Sequence, residues 1–336
     1  MAIEIDFSYV IDGLFTSVNY YRSPTPMNVG SMPTATATGI TTTTYTDTTA
    51  TKGNYYYVRF GSVKAGVEKI SDELKILAGT AWTPNNLSSQ IYLDADDLSA
   101  SSISSWTDRK SGASFIQAAP SSQPALSAIN GKKSVLFDGL NDNLECTNSL
   151  ITGIFKNIGA GYLFVVSQKT ETSDAGKDSP LVYFETPSTG YTRFGIFAGL
   201  NGNNENTYSS LFRRSDSDSA YYLNSTIASN DLATKIVSTE FDYSQPTCKF
   251  YVNSTMAAQS TPPFGTGLTS NTDSNRSMIG SNGAFYFKGN IAAIIAGNTV
   301  LSTQDRQKLE GWAAHKYGLL SSLPTGHPYK TNPPVV

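Results

Sequence analysis

The chain has 336 residues and a net charge of −3, with 27 acidic against 24 basic side chains. That balance supplies neither the basic face nucleic acid needs nor a polybasic patch for anionic lipid. Charged residues make up 15% of the chain, against about 25% in an ordinary soluble domain. Ser, Thr, Asn and Tyr take their place, and 19 Tyr with 16 Phe carry enough apolar surface to exclude disorder over most of the chain.

The length points to about two domains. Good helix formers are scarce and β-formers abundant, which excludes a helical bundle. The first ten residues hold Glu4 and Asp6 and no basic stretch ahead of an apolar run, so they do not read as a secretory signal. Ile3, Ile5 and Phe7 alternate with Glu4, Asp6 and Ser8, the period of a half-buried strand. Ser17 to Arg22 predicts a second strand, closed by Pro24 and Pro26. Thr41 to Tyr45 is β-branched and predicts a third. Asp47 to Gly53 reads as a turn, Asn54 to Phe60 as a strong strand, and Glu73 to Leu77 as the closing one. Residues 1–78 therefore predict a small antiparallel sandwich, and 79–87 a linker whose Trp82 is expected at the junction between domains.

Residues 88–322 repeat the strand signal about ten times. The segments are Ile91 to Leu93, Ser134 to Phe137, Tyr162 to Val166, Leu181 to Phe184 and Arg193 to Phe197. They continue at Lys235 to Glu240, Thr247 to Val252, Ser277 to Gly280, Ala284 to Lys288 and Ile291 to Ala296. Turn residues separate them and no helix intervenes, the pattern of one large double-sheet jelly roll. A single helix follows. Ser302 stands at an N-cap with Asp305 three residues on, Leu309, Trp312, Ala313 and Leu320 fall near one face, and Gly318 ends it. Trp312 and His315 are expected to dock against the sheet. Residues 323–336 read as a proline-rich extended tail that helps the helix seal the sandwich. Cys146 and Cys248 lack metal-ligand spacing and read as two buried free thiols.

Two resemblances emerge from particular residues. Tyr45-Thr46-Asp47, Gly53 to Arg59 and Gly66 to Ser71 resemble the back half of a fibronectin type III module, the segment being short enough for a first strand to be missing or irregular. Leu93 to Asp97, Trp106 to Gly112, Gln123 to Ala125 and Asn130 to Gly139 resemble concanavalin A-like, laminin G-like jelly rolls, as do Asp142 to Leu144, Lys288 to Ala292, Leu301-Ser302 and Glu310 to Gly318. The resemblance implies an all-β chain: a small Ig/fibronectin-like sandwich, then a large jelly roll with one C-terminal helix. The order of the two modules is similar to that of tailed-bacteriophage virion proteins.

Catalytic chemistry finds little material. His315 and His327 are the only histidines, on the helix and in the tail, which leaves a Ser-His-Asp arrangement little to draw on. No Gly-rich phosphate loop is present. Glu240 and Asp242 have the spacing that puts two carboxylates on one sheet face, but Phe241 would then point into the core and leave both acids solvated outside. Asp216 and Asp218 read as a solvated loop. For calcium, Asp94, Asp96, Asp97, Asp138 and Asp142 are the oxygen donors to weigh, and Asp138 to Asn143 reads as a turn between strands. No metal or cofactor is expected.

Binding by surface remains. Tyr, Asn and Gly concentrate over Gly199 to Tyr208 and around Tyr221 to Asn224, so Asn201, Asn203, Asn204, Tyr208, Tyr221 and Tyr222 are the candidate ligand contacts. The expected function is non-enzymatic: a virion protein displaying a lectin-like domain for attachment to host-surface glycan, assembled in the host cytoplasm and exposed outside it. Alternatives are a structural decoration or tail-assembly protein, and a glycan depolymerase on the same fold. Expected partners are other virion proteins in a multimeric particle and host-surface carbohydrate, with no nucleic acid and no membrane insertion.

Overall fold

The structure is a computed structural model that describes residues 5–8, 15–172, 176–185, 193–200, 202, 205–215, 217–271 and 276–336, with backbone alone at 5–8, 185 and 193. The chain divides into two compact units, Met1–Trp82 with Thr331–Val336, and Thr83–Lys330.

The described residues of the first unit form seven strands: β1 (Ile5–Ser8), β2 (Ser17–Ser23), β3 (Ala37–Ile40), β4 (Thr44–Asp47), β5 (Tyr55–Lys64), β6 (Val67–Ile70) and β7 (Leu74–Leu77). β1 pairs with β4, and a five-stranded sheet runs β3-β2-β5-β6 with β7 further along β5. Tyr20, Tyr56 and Val58 fill the core, and Tyr45 of β4 packs on Tyr20 with ring centroids 4.9 Å apart. The single strand expected over Thr41 to Tyr45 is corrected to two. β3 ends at Ile40 beside β2, and β4 starts at Thr44 beside β1, so 41–43 carries the chain from one sheet to the other. Buried Asp47 stabilises the following turn, accepting from Thr49 N at 2.8 Å while pairing with Arg22 at 2.6 Å. The proline-rich segment is shared out: Val335 forms a bridge with Ala81 in the first unit, whereas Leu323–Lys330 belongs to the second.

The described residues of the second unit form sixteen strands. They are β8 (Ile91–Asp94), β9 (Ser105–Thr107), β10 (Ser114–Ile116), β11 (Ala125–Ile129), β12 (Lys132–Asp138), β13 (Leu144–Cys146), β14 (Ala160–Lys169) and β15 (Pro180–Glu185). The rest are β16 (Arg193–Phe197), β17 (Thr207–Arg213), β18 (Tyr221–Ala228), β19 (Lys235–Asp242), β20 (Thr247–Val252), β21 (Thr255–Ser260), β22 (Arg276–Ile279) and β23 (Lys288–Gly297). Among the described residues two helices join them, the single-turn α1 (Ser149–Thr152) and α2 (Thr303–Tyr317).

All pairings are antiparallel and form two eight-stranded sheets. The front sheet runs β18-β17-β16-β15-β22-β13-β10-β9; the back sheet runs β11-β12-β23-β14-β19-β20-β21, with β8 also on β23. This is the all-β sandwich that the sequence predicts. Trp106, Phe115, Phe137, Phe194 and Phe241 lie in the core between the sheets. Two expectations change. Ala284 to Phe287 is a turn holding one isolated bridge, Ser281 to Tyr286, and pairing resumes at Lys288. Thr207–Arg213 and Tyr221–Ala228, which include part of the Tyr- and Asn-rich candidate surface and are absent from the expected strands, are paired strands.

β14 and β23 are buried along almost their whole length. One face meets the core, and Tyr317 of α2 donates to Ala292 O of β23 at 3.3 Å on the helix side; burial on both faces explains their continuous rather than alternating apolar runs. The α2 ends match the sequence expectation, although the helix stops short of Leu320. Ser302 Oγ accepts from Asp305 N at 3.0 Å, and Gly318 closes the helix at φ 69°. Ser302→Ala should cost about 1 kcal/mol in denaturant unfolding, the usual worth of an N-cap hydroxyl. Trp312 meets Tyr92 of the back sheet edge-on, and His315 Nε2 lies 2.9 Å from Tyr329 O in the segment after the helix. The segment over the helix leaves no room for a side chain at Gly311, where a Cβ would lie 2.4 Å from Tyr329 Cβ. Cys146 on the front sheet and Cys248 on the back sheet are buried free thiols. Burial pushes both thiols up from their ordinary value.

Candidate functional site

The outer face of the front sheet follows from register. Phe115, Leu144, Ile279, Phe184, Phe194, Phe212 and Leu223 point into the core, so their neighbours along each strand point out. One cross-strand row runs from Ile116 through Glu145 and Met278 to Tyr183. It continues through Gly195 and Leu211 to Tyr222. The middle of this row is apolar and closed: Tyr183, Phe197, Leu200, Leu211 and Met278 form a buried cluster separate from the main core. Gly195 makes that packing possible, because a Cβ there would stand 2.7 Å from Tyr183 Cδ2.

The two ends of the row are open. At the β18 end Tyr222 is 36% exposed. At the other end a groove of about 450 Å³ lies over β10 and β13, lined by Ser114, Ile116, Gln117, Asn143, Glu145 and Thr147. Ile116, 54% exposed, gives the groove an aliphatic patch. The polar walls are held in place. Gln117 donates to Asn143 Oδ1 and accepts from Ala119 N at 3.0 Å, while the Ser114 and Thr107 hydroxyls are 2.8 Å apart. Glu145 has Arg276 at 3.8 Å, the one charged pair beside the groove among the described residues. Amides, hydroxyls and a carboxylate around a small aliphatic surface match a polyol, which both donates and accepts hydrogen bonds.

The residues read as ligand contacts fall into three groups. Asn201, Asn203 and Asn204 lie outside the described residues, as does Asp216. Tyr208 is a core residue, 1% exposed, because β17 turns it inward between two outward positions. Tyr221 also packs inward, edge-on to Phe264 with centroids 6.2 Å apart, and Tyr222 alone of the three tyrosines faces out. Nothing in the sequence marks the groove over β10 and β13. Those strands are three residues long, too short to show a period.

The other acidic candidates are occupied. Phe241 does point into the core, but Glu240 is not solvated: it is 8% exposed and pairs with Lys249 at 3.0 Å. Asp242 caps the next turn, accepting from Ser244 N at 2.9 Å. Asp218 pairs with Arg214 at 3.0 Å rather than standing free. Asp138 and Asp142 stabilise the turn between β12 and β13, with Asp142 Oδ2 accepting from Asp138 N at 2.9 Å. Asp94, Asp96 and Asp97 already hold cations. Lys316 of α2 lies 2.6 Å from Asp94 and 2.8 Å from Asp96, and Arg109 lies 3.1 Å from Asp94 and 2.7 Å from Asp97. The Tyr92 hydroxyl completes the cluster at 2.8 Å from Asp94.

No protein-family model and no curated protein sequence matches the chain. Among solved structures it is similar to the CBM40 domain of the Ruminococcus gnavus IT-sialidase bound to α2,3-sialyllactose, at 16% identity and TM-score 0.41 over 51% of this chain and 92% of that one. It is also similar to domain 4 of a GH43 extracellular arabinanase from Geobacillus stearothermophilus in complex with arabinotriose, at 13% identity and TM-score 0.47 over 66% and 98%. A third likeness is the binding domain of botulinum neurotoxin DC, at 9% identity and TM-score 0.45 over 68% of this chain and 52% of that chain. At TM-scores below 0.5 these likenesses do not extend to what this chain binds.

Proposed function

We propose that the chain is a non-catalytic glycan-binding protein of a virus particle, with the second unit displayed to carbohydrate and the first unit attaching or spacing it. The observation that carries the glycan reading is the groove over β10 and β13, where fixed amide, hydroxyl and carboxylate groups surround exposed Ile116. Such a surface suits sugar hydroxyls, which need donors and acceptors together. The non-catalytic reading is supported by the pairing of Glu240 with Lys249, which takes the best-spaced acid out of solvent. The charge-poor, Tyr- and Thr-rich composition and the order of the modules support the virion setting.

A glycan array probed with multivalent full-length chain tests the first point. Glu145→Gln should weaken the positive spots about tenfold, the loss of one charge-assisted hydrogen bond. Tyr222→Ala should leave them unchanged if the ligand is confined to the groove. No binding to any glycan overturns the reading, and release of reducing ends from a bound polysaccharide overturns the non-catalytic part. Particles made without this protein should assemble and adsorb poorly. Failure to assemble would favour the structural alternative.

A further inference from the structure

The first unit has an open groove of its own, about 470 Å³, whose walls include Tyr55, Tyr57, Lys75, Asn54 and Asn332. All five belong to that unit. Tyr55 and Tyr57 are two positions apart on β5, so both rings leave the sheet on one side while Tyr56 between them fills the core. Lys75 stands opposite Tyr57 on β7, with Nζ 4.7 Å from the Tyr55 ring centroid and 5.6 Å from that of Tyr57. Asn332 Nδ2 donates to Asn54 Oδ1 at 3.1 Å, which holds the two amides together at one end.

Lys75 has no carboxylate partner among the described residues. Its ammonium is held over two ring faces, and its positive charge has no anionic match among those residues. An occupant that fits must bring an anion for Lys75, a flat C–H surface for the phenol rings and hydroxyls for the amides. We propose that this groove binds a carboxylated sugar, a uronate unit of an acidic polysaccharide. A proline-rich peptide would use the rings but not the ammonium, so charge complementarity favours the sugar acid. No residue is shared with the groove of the second unit, so the proposal stands independently of the reading given for that groove.

Calorimetric titration of the full-length chain with an oligogalacturonate tests it, with the methyl-esterified oligomer and a decaproline peptide as the other titrants. Saturable binding of the acid, weakened about tenfold by Lys75→Gln and by the ester, is expected for one charge-assisted contact. Tyr57→Ala should weaken it further, and Lys75→Gln, an exposed change, keeps the test valid should that variant unfold. Glu145→Gln should leave the titration unchanged. The proposal is overturned if the acid does not bind or if the ester binds equally. It also falls if Lys75→Gln has no effect, if decaproline is the titrant whose binding depends on Tyr57, or if Glu145→Gln abolishes uronate binding. That last result would move the ligand to the second unit and leave the reading of its groove intact.

Discussion

Replacing Asp94 with alanine should destabilise the second unit by about 3 kcal/mol, because it removes the single buried anion on which two cations converge. Lys316 contributes both its 2.6 and 2.7 Å contacts to this carboxylate, and Arg109 a third at 3.1 Å. Without it, Lys316 keeps only Asp96 as a carboxylate partner, and α2 loses its ionic tie to β8. Burial by itself would raise the Asp94 pKa. The hydrogen bonds and charge of Lys316, with the Tyr92 hydroxyl and Asp96 N, outweigh burial and hold the carboxyl below its ordinary value. The sign of the pH effect follows. A group depressed in the folded state adds stability above its unfolded pKa of about 4 and loses it as pH falls through the folded value. Urea titrations of wild type and Asp94→Asn should therefore diverge at neutral pH and converge in acid below about pH 4. A constant difference down to pH 2 would sink this account.

Phe241→Ala should cost a similar amount, about 3–5 kcal/mol, by a different route: an aromatic void in the core. Phe241 stacks on Tyr243 with centroids 4.5 Å apart and meets Phe194 edge-on at 5.0 Å. Its ring also lies over Gly161, its cross-strand partner, where a Cβ would be 2.8 Å from Phe241 Cε1. The neighbouring rings belong to both sheets, so collapse around the gap is restricted from either side. The urea midpoint should fall with an unchanged slope, which marks lost stability rather than a changed unfolded state. A loss under about 1 kcal/mol would mean that the rings repack freely, against the close contacts at Gly161.

These two residues also show where the sequence is readable. Phe241 between Glu240 and Asp242 has a strand period, and its inward direction follows from alternation alone. The helix was legible because capping is local chemistry: Ser302, Asp305 and Gly318 act within a few residues of themselves. Asp94 stands out in the sequence only as an acid, since its partner Lys316 lies 222 residues away and no local pattern connects them. Tyr221 and Tyr222 are adjacent with identical chemistry, yet one packs against Phe264 and the other meets solvent. Only register against β17 decides which. The groove over β10 and β13 is the extreme case, since strands of three residues give alternation nothing to repeat.

The two cysteines give this sandwich a built-in clock. Cys146 and Cys248 lie on opposite sheets, each closed to solvent and each with ionisation disfavoured by burial. A thiol reagent can reach either only after its sheet opens, so the rate of labelling measures the free energy of that opening. Two single-thiol variants would time the front and back sheets separately, and the slower would identify the sheet that holds out longest as the protein breathes.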